Sequence, residues 1–347
     1  MQRVEKLKRL LDCGGIYITS KANIFYYSGF TSEDAALVIT EKEKILITDS
    51  RYIIQAKNQC PEFEIYNSAD GTDKLFKRLG LKSIAFEEDY ITFSRYERLK
   101  NTAKGAELIP GGKKISLPRS VKEAEEIEKI RAAEALGDGA FSHVLNILHA
   151  GMTEKEAAFE IENYMRKNGA SGTSFETIVA SGVRSALPHG VASDKVIEKG
   201  DFVTMDFGCV LDGYCSDMTR TVVIGSADGR QREIYAVVLA AQKAALEKIR
   251  AGIACSEIDA AARKVITDAG YGKYFGHSLG HSVGLEIHEN PNFSPRSEDI
   301  TESGNVITVE PGIYIEDFGG VRIEDVAAIL PENMSNLTKS EKNLIII

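Results

Sequence analysis

Two carboxylates stand where a β-hairpin would set them side by side. Asp206 and Asp217 lie in VTMDFGCVLDGYCSDMTRTVV, residues 203–223, where Val203, Met205, Phe207, Val222 and Val223 read as core. Asp-Gly at 212–213 is a hairpin turn signal between two β-type runs. With the turn there, Asp206 faces Thr219 and Asp217 is its diagonal neighbour. With the turn at 211–212 the two aspartates pair directly. In either register both carboxylates leave one face of the ladder. Two anions in a half-buried sheet repel, and one of them resists ionising unless a cation joins them.

The C-terminal part of the chain repeats this arrangement. VTMDFG (203–208) falls on ITVEPG (307–312), which sets Asp206 against Glu310, and DGYCSD (212–217) falls on GGVRIE (319–324), which sets Asp217 against Glu324. Upstream, AGMTEKEAAFEIENYMRKNG (150–169) aligns without a gap on AGIACSEIDAAARKVITDAG (251–270), with Met165 on Ile266. Matched helices followed by matched acidic strands predict an internally duplicated, pseudo-twofold domain with four acids converging near its axis. Lysines and arginines placed to neutralise those acids are few, whereas two divalent cations would do so. Oxygen-rich ligation with a minority of nitrogen suits Mn²⁺, Co²⁺, Fe²⁺ or Zn²⁺ better than a metal that prefers thiolates.

Of six histidines, four fall in SALPHG (His189) and GHSLGHSVGLEIHEN (His277, His281, His288). Gly276, Gly280 and Gly284 punctuate the second segment and let its backbone pass close to a site. His143 and His149 read as packing or surface residues of a helix. The segment is not the HExxH of single-zinc proteases, because His288-Glu289 is followed by Asn-Pro-Asn-Phe. Nor is Asp206-Phe207-Gly208 a kinase signature, since neither a Gly-rich phosphate loop nor a His-Arg-Asp loop accompanies it. In VRIED, period-two alternation puts Arg322 on the face of Glu324, placed to orient a ligand carboxylate or a substrate.

The elements that must position these groups are legible in outline. The 347 residues suffice for two domains, and the formal charge of −9 lends no support to a nucleic-acid or anionic-membrane partner. No segment reaches the length of a membrane span, and the N-terminus lacks the apolar run of a signal peptide. Five scattered cysteines (13, 60, 209, 215, 255) without CxxC spacing point to reduced thiols in a cytoplasm. Cys215 reads as a small buried residue.

Residues 1–117 read as an α/β unit, with strands in GGIYITS, AALVITE, KILITDSRYI and KSIAFEE and helices over 2–12 and 71–80. PGGKKISLP (110–118) reads as a linker, SVKE (120–123) as a capping box opening a long helix, and TEKE (153–156) as a second capping box. Ile127, Ile130, Ala133, Phe141, Val144, Leu145 and Leu148 recur at helical spacing in the first of these helices, where Gly137 and Gly139 are expected to bend or weaken it.

The order Asp206, Asp217, His281, Glu310, Glu324, set in GHSLGHSVGLEIHE, TVEPG and VRIED, resembles the metallopeptidase family with the pita-bread fold. That family includes Xaa-Pro dipeptidases (prolidases), Xaa-Pro aminopeptidases, methionine aminopeptidases and the metal-free creatinases. The resemblance covers residues of roughly 120–345, and NIFYYSGF and TDSRY are similar to the front domain of the prolidase, aminopeptidase P and creatinase branch. It implies an α+β fold: a pita-bread catalytic domain over 118–347 with an internal pseudo-twofold duplication, preceded by a smaller creatinase-like α/β domain over 1–117.

The resemblance also implies a site. Asp206 would hold one metal, Asp217 and Glu324 would bridge two, and His281 and Glu310 would complete the second. Mn²⁺ or Co²⁺ is favoured, with Zn²⁺ or Fe²⁺ as alternatives. Glu310 would serve as proton acceptor, His288 and His189 as groups that stabilise the oxyanion or hold the substrate backbone, and His277 and Arg322 as substrate contacts. The implied reaction is hydrolysis of the bond before proline at a free N-terminus, on peptides with proline second. The front domain would limit substrate length, and the enzyme is expected to be a homodimer. The modest length and the absence of large insertions in the catalytic part are shared by short enzymes of both length classes; of the two, the aminopeptidase is expected. The alternatives are a methionine aminopeptidase-like enzyme, whose common forms lack such a front domain, and a catalytically idle binding module of the same fold.

Overall fold

The computed structural model describes residues 2–347. The chain divides into two compact units, one running to Arg119 and the other from Ser120 to Ile347.

The first unit is built on a mixed sheet of six strands: β1 (Gly15–Ile18), β2 (Ala35–Thr40), β3 (Lys44–Thr48), β4 (Glu64–Asn67), β5 (Ser83–Phe86) and β6 (Glu107–Pro110), in the order β4-β3-β2-β1-β5-β6. β2 runs antiparallel to both β1 and β3, and the outer pairs are parallel. Its sequence AALVIT is buried at every position, the continuous apolar run of a strand covered on both faces. The helices are α1 (Gln2–Leu10), α2 (Lys21–Ser28), α3 (Ile53–Gln59), α4 (Thr72–Leu79), α5 (Phe93–Thr102) and α6 (Gly112–Ser116).

Three expectations are corrected here. The strand expected over 44–53 ends at Thr48, and the chain is helical from Ile53. Strands β4 and β6 are additional; they flank the sheet and are largely exposed or half-buried, so no apolar alternation betrays them. The supposed linker is helical, with Ile115 fully buried and its carbonyl accepting from the Tyr27 hydroxyl at 2.5 Å.

The second unit opens with α7 (Ala124–Leu145). Its capping box is formed by Glu123 and Glu126 rather than by Ser120 and Glu123. The earlier stretch is held elsewhere: Lys122 N–H donates to the Gly304 carbonyl and the Ser120 carbonyl accepts from Asn305. The helix runs unbroken through Gly137 and Gly139. A Cβ at Gly139 would stand 2.8 Å from the Tyr164 hydroxyl and one at Gly137 would stand 3.3 Å from Met218 Sδ, so these glycines permit close packing. The expected second capping box is present at Thr153 and Glu156, opening α8 (Glu154–Lys167).

The duplication is visible element by element. α8 runs from 154 to 167 and α10 (Cys255–Asp268) from 255 to 268, each 14 residues long and 101 positions apart at both ends. Met165 and Ile266 are both buried. The first half carries the sheet β12-β9-β8, from β8 (Ile178–Ser181), β9 (Phe202–Phe207) and β12 (Met218–Val223). Its hairpin β10 (Cys209–Leu211) and β11 (Tyr214–Cys215) pairs with β7 (Gly172–Thr173).

The second half carries β13 (Gly280–Ser282), β15 (Val306–Val309) and β18 (Asp325–Ile329), flanked by β14 (Glu289–Phe293) and β19 (Met334–Asn336). A hairpin of β16 (Gly312–Ile315) and β17 (Gly319–Arg322) extends it, and α9 (Gly229–Lys248) covers it beside α10. Each half has its own apolar core. Phe141, Ile161, Met205 and Met218 belong to the first, and Ile234, Ile258, Ile307 and Ile329 to the second.

Candidate metal centre

The turn at Asp212-Gly213 sets the first pair of acids. Both residues have positive φ, 50° and 85°, as a two-residue hairpin turn of this hand requires, and Leu211 pairs with Tyr214 across it. The same register continues into the neighbouring ladder, where Asp206 pairs with Thr219. Asp217 is therefore the diagonal neighbour of Asp206, and the alternative with the aspartates directly opposite is not adopted. In the second half Val309 pairs with Asp325 and Gly312 with Arg322, which places Glu310 opposite Glu324. Its hairpin has a three-residue loop, 316–318, and the longer turn shifts the pairing while keeping both glutamates on one face.

His281 comes from the strand equivalent to β8. Ile178 pairs with Asp206, and Glu310 N–H donates to the Leu279 carbonyl, so Leu279 takes the place of Ile178. The position equivalent to His281 is Ala180, which is buried, so one imidazole makes the two halves of the centre unequal. Gly280 permits the approach: a Cβ there would collide with the Thr308 carbonyl. The adjacent His281 N–H donates to Thr308 Oγ1 at 2.9 Å.

These residues line one cleft of about 660 Å³, together with His189, His277, His288 and Arg322. Ligand atoms of Asp217, His281 and Glu324 lie within 4.8 Å of one another, and His281 Nε2 is 3.4 Å from Glu310 Oε1 and 3.6 Å from Asp217 Oδ2. Asp217 and Glu324 are buried, 4 % and 1 % exposed. Thr219 Oγ1 donates to Glu324 Oε2 at 2.6 Å, and Thr308 Oγ1 to Glu310 Oε1 at 3.1 Å. The backbone N–H of Asp217 is fixed by Glu134 Oε1 at 2.8 Å.

The electrostatics are those of an uncompensated anion cluster. Burial, then the charges of Glu324, Asp206, Glu310 and Glu134, hold the Asp217 carboxyl well above its ordinary range. Glu324 is raised well above its ordinary range by burial and by Glu310 and Asp206, and burial pushes Glu310 up to about 8. Arg322 is the cation placed among them, with Nη2 2.6 Å from Asp206 Oδ2, while Asp206 Oδ1 is buried with no partner among the described residues. His281 is pushed down to about 4 by burial and the neighbouring His288, and is therefore neutral. Its Nδ1 faces the Ser282 carbonyl at 3.3 Å and must carry the proton, which leaves the Nε2 lone pair turned towards the acids. An orphaned carboxylate oxygen, a neutral imidazole with its lone pair inward and mutually repelling buried acids fit divalent cations.

Each expected site residue can be placed. His189 and His288 are exposed in the cleft, and the rings of His281 and His288 stand 4.3 Å apart. His277 has both ring nitrogens engaged: Nδ1 with the Ser278 carbonyl at 2.8 Å and Nε2 with the Tyr314 hydroxyl at 3.0 Å. Arg322 spends its fork on Thr219 Oγ1, the Pro188 carbonyl, the Tyr314 hydroxyl and Asp206, an arrangement that orients the carboxylate. Sequence reasoning missed Tyr314, Thr308 and Glu134. Glu134 left a signal, a charged residue four positions after Ile130 on the apolar stripe of α7. Tyr314 left none, because its role depends on Arg322 and His277 folding onto it. Cys215 is buried and outside any disulfide, as are Cys60, Cys209 and Cys255, while Cys13 is half-buried.

A duplicated sheet sandwich that brings four carboxylates and one imidazole into a cleft is the frame of a metallohydrolase. The chain belongs to metallopeptidase family M24, which it matches over residues 128–330, and residues 1–121 match the creatinase/prolidase N-terminal domain. It is similar to the Xaa-Pro dipeptidase of Pyrococcus furiosus, with 39% identity over 99% of each chain. Among solved structures, the Xaa-Pro dipeptidase from Bacillus anthracis superposes with a TM-score of 0.97 at 45% identity, covering 100% of this chain and 99% of that one. The X-Pro aminopeptidase from Thermotoga maritima superposes at 0.92 with 40% identity, covering 98% and 99%. The expected pita-bread fold with its creatinase-like front domain, and metallopeptidase activity as the class of function, are thereby established.

Proposed function

We propose that this chain is a two-metal exopeptidase that hydrolyses the bond before proline at a free N-terminus, with Xaa-Pro dipeptides as its main substrates. The observation that carries the proposal is the gathering of Asp206, Asp217, His281, Glu310 and Glu324 around one cleft, all four acids raised by burial. Those five residues would hold the metals, Asp217 and Glu324 between them, Asp206 on one side and His281 with Glu310 on the other. Two divalent cations there would supply a polarised scissile carbonyl and a water acidified towards neutral pH.

The chain's own groups do the rest. Glu310 takes the proton of the attacking water at a carboxylate oxygen and delivers it to the departing nitrogen. His288 and His189 reach into the cleft and donate to the oxygen that gathers negative charge. Arg322 holds Asp206 in place, and His277 supports Arg322 through the Tyr314 hydroxyl. The scissile nitrogen is proline's own ring nitrogen and carries no N–H, so the site needs an apolar wall for the ring rather than an acceptor. Phe175, Ile178, Val191 and Ile287 line the cleft and can supply it.

The preference for dipeptides, in place of the aminopeptidase expected from the sequence, is supported by the names borne by several relatives that match over their full length. The proposal includes Mn²⁺ or Co²⁺ as the resident metal, suited to four carboxylates and one imidazole. It also includes a homodimer and a reducing cytoplasm, the latter in keeping with five cysteines outside any disulfide among the described residues. Among the described residues no helix is long and apolar enough to cross a membrane. The test is to strip the protein, reload it with each metal and assay Ala-Pro, Ala-Pro-Ala and Ala-Ala-Ala. Turnover of Ala-Pro alone supports the proposal, turnover of Ala-Pro-Ala as well makes the enzyme an aminopeptidase, and equal turnover of Ala-Ala-Ala overturns the proline specificity.

A further inference from the structure

The first unit contains a cavity of its own, about 440 Å³. It lies on the sheet face covered by α4 and α5, beside Ala35 of β2 and Thr48 of β3, and has Tyr17, Ile47, Phe76 and Leu99 in its walls. Its polar lining is dominated by donors. Arg95 and Arg98, three residues apart on α5, both face it, joined by the hydroxyls of Tyr17, Ser68 and Thr72. None of these five side chains has a hydrogen-bond acceptor or an ion-pair partner among the described residues.

The two acids in the lining do not meet this need. Asp49 accepts from Arg51 Nε and Nη2, at 3.0 and 2.7 Å, and Asp34 accepts from Arg51 Nη2 and the Tyr52 hydroxyl, at 3.2 and 3.1 Å. Both are satisfied by one arginine that does not line the cavity. Tyr17 lies within the fields of Arg95 and Arg98, which oppose the upward push of burial on its phenol. The two guanidiniums are like charges one helical turn apart, and none of the three hydroxyls has a protein acceptor among the described residues. Arg98 and Ser68 are exposed, with Arg95, Tyr17 and Thr72 half-buried, so all five are open to a ligand from solvent. A ligand bearing several acceptor oxygens and more than one negative charge would satisfy all five groups together.

We propose that this cavity binds a small phosphate monoester, with its phosphoryl oxygens on Arg95, Arg98, Tyr17, Ser68 and Thr72 and its organic body against Phe76, Ile47 and Leu99. A dianion matches two guanidiniums better than a monocarboxylate does, and a cavity of this size holds a drug-sized or smaller molecule. The cavity shares no lining residue with the hydrolytic cleft, and the proposal does not depend on the reaction proposed for that cleft.

The test is calorimetric titration of the metal-loaded protein with phenyl phosphate, inorganic phosphate and benzoate, with Ala-Pro hydrolysis measured in parallel. Phenyl phosphate should bind saturably, more tightly than inorganic phosphate and much more tightly than benzoate, and binding should weaken with salt. Replacing Arg95 and Arg98 together by Gln should weaken phenyl phosphate binding by about tenfold or more, the loss of charge-assisted bonds. Hydrolysis of Ala-Pro should be unchanged in that variant, and its melting temperature should not fall, because two unpaired like charges are removed. Unchanged phenyl phosphate affinity in the double variant would place the ligand at the metal centre and overturn the proposal. No binding to the parent protein, or benzoate binding as tightly, would also overturn it. Equal affinity for inorganic and phenyl phosphate would remove the ester and leave free phosphate as the ligand.

Discussion

Arg322 and Asp206 pair within the metal cleft, with Nη2 2.6 Å from Oδ2, while Oδ1 of the same carboxylate is buried without a partner among the described residues. The pair leaves one oxygen of Asp206 for a cation and fixes its direction. Arg322→Lys keeps the charge but loses the planar fork that also reaches Thr219 and Tyr314. Metal affinity or activity should fall by about 10–100-fold, as for other groups that orient a ligand. Equilibrium dialysis with metal analysis, alongside kcat, checks this; parent values in both would show that the pair is dispensable.

Asp217→Asn should abolish turnover and lower the number of bound metals. Ligand atoms of Asp217, Glu324 and His281 lie within 4.8 Å of one another. Near-normal hydrolysis by the variant would count against a dication held between Asp217 and Glu324.

Histidine 288 separates catalysis from metal binding. It is exposed beside the ring of His281 and free to meet a substrate. His288→Ala should lower kcat by about 10²–10³, the scale of losing one oxyanion donor. Metal content should be unchanged, and an altered metal content would make His288 a ligand instead.

Metal uptake should release protons. Burial pushes Glu310 up to about 8 in the metal-free cleft, and Asp217 and Glu324 are raised as well. Ligands must shed those protons to bind, so apparent metal affinity rises with pH through the neutral range. For the metal-free protein the sign is the opposite. A carboxyl whose folded pKa is raised binds protons more tightly when folded, so stability is greatest below the unfolded value and falls as pH rises towards about 8. Calorimetry in two buffers of different ionisation enthalpy reads the protons, and melting of chelated protein across this range reads stability. A melting temperature that climbs with pH in the chelated protein would contradict the assignment.

Gly280→Ala should cost both stability and metal. The added Cβ collides with the Thr308 carbonyl and pushes β13 away from β15, which moves His281 off the acids. Lower thermal stability with sub-stoichiometric metal is the expected result. Full metal occupancy would mean that the strand can shift without moving the imidazole.

Much of this protein is legible in local signals. The Asp212-Gly213 turn, the capping box at Thr153, the fully buried β2 and the repeated acid-bearing strands all follow from short-range chemistry: turn conformations few residues tolerate, helix ends that need acceptors, and a side-chain period of two. A repeat read along one dimension therefore already demanded cations at the meeting point of its halves. Folding settled the matters that depend on groups distant in the chain. The loop 304–305 takes the backbone of Ser120 and Lys122, so the first long helix is capped at Glu123. The longer hairpin of the second half sets Glu310 opposite Glu324 although their counterparts are diagonal. Tyr314 acquires its place between Arg322 and His277 because three segments converge on its hydroxyl. Such contacts carry no periodicity and no local preference, since their energy arises when desolvated donors and acceptors from remote strands find each other.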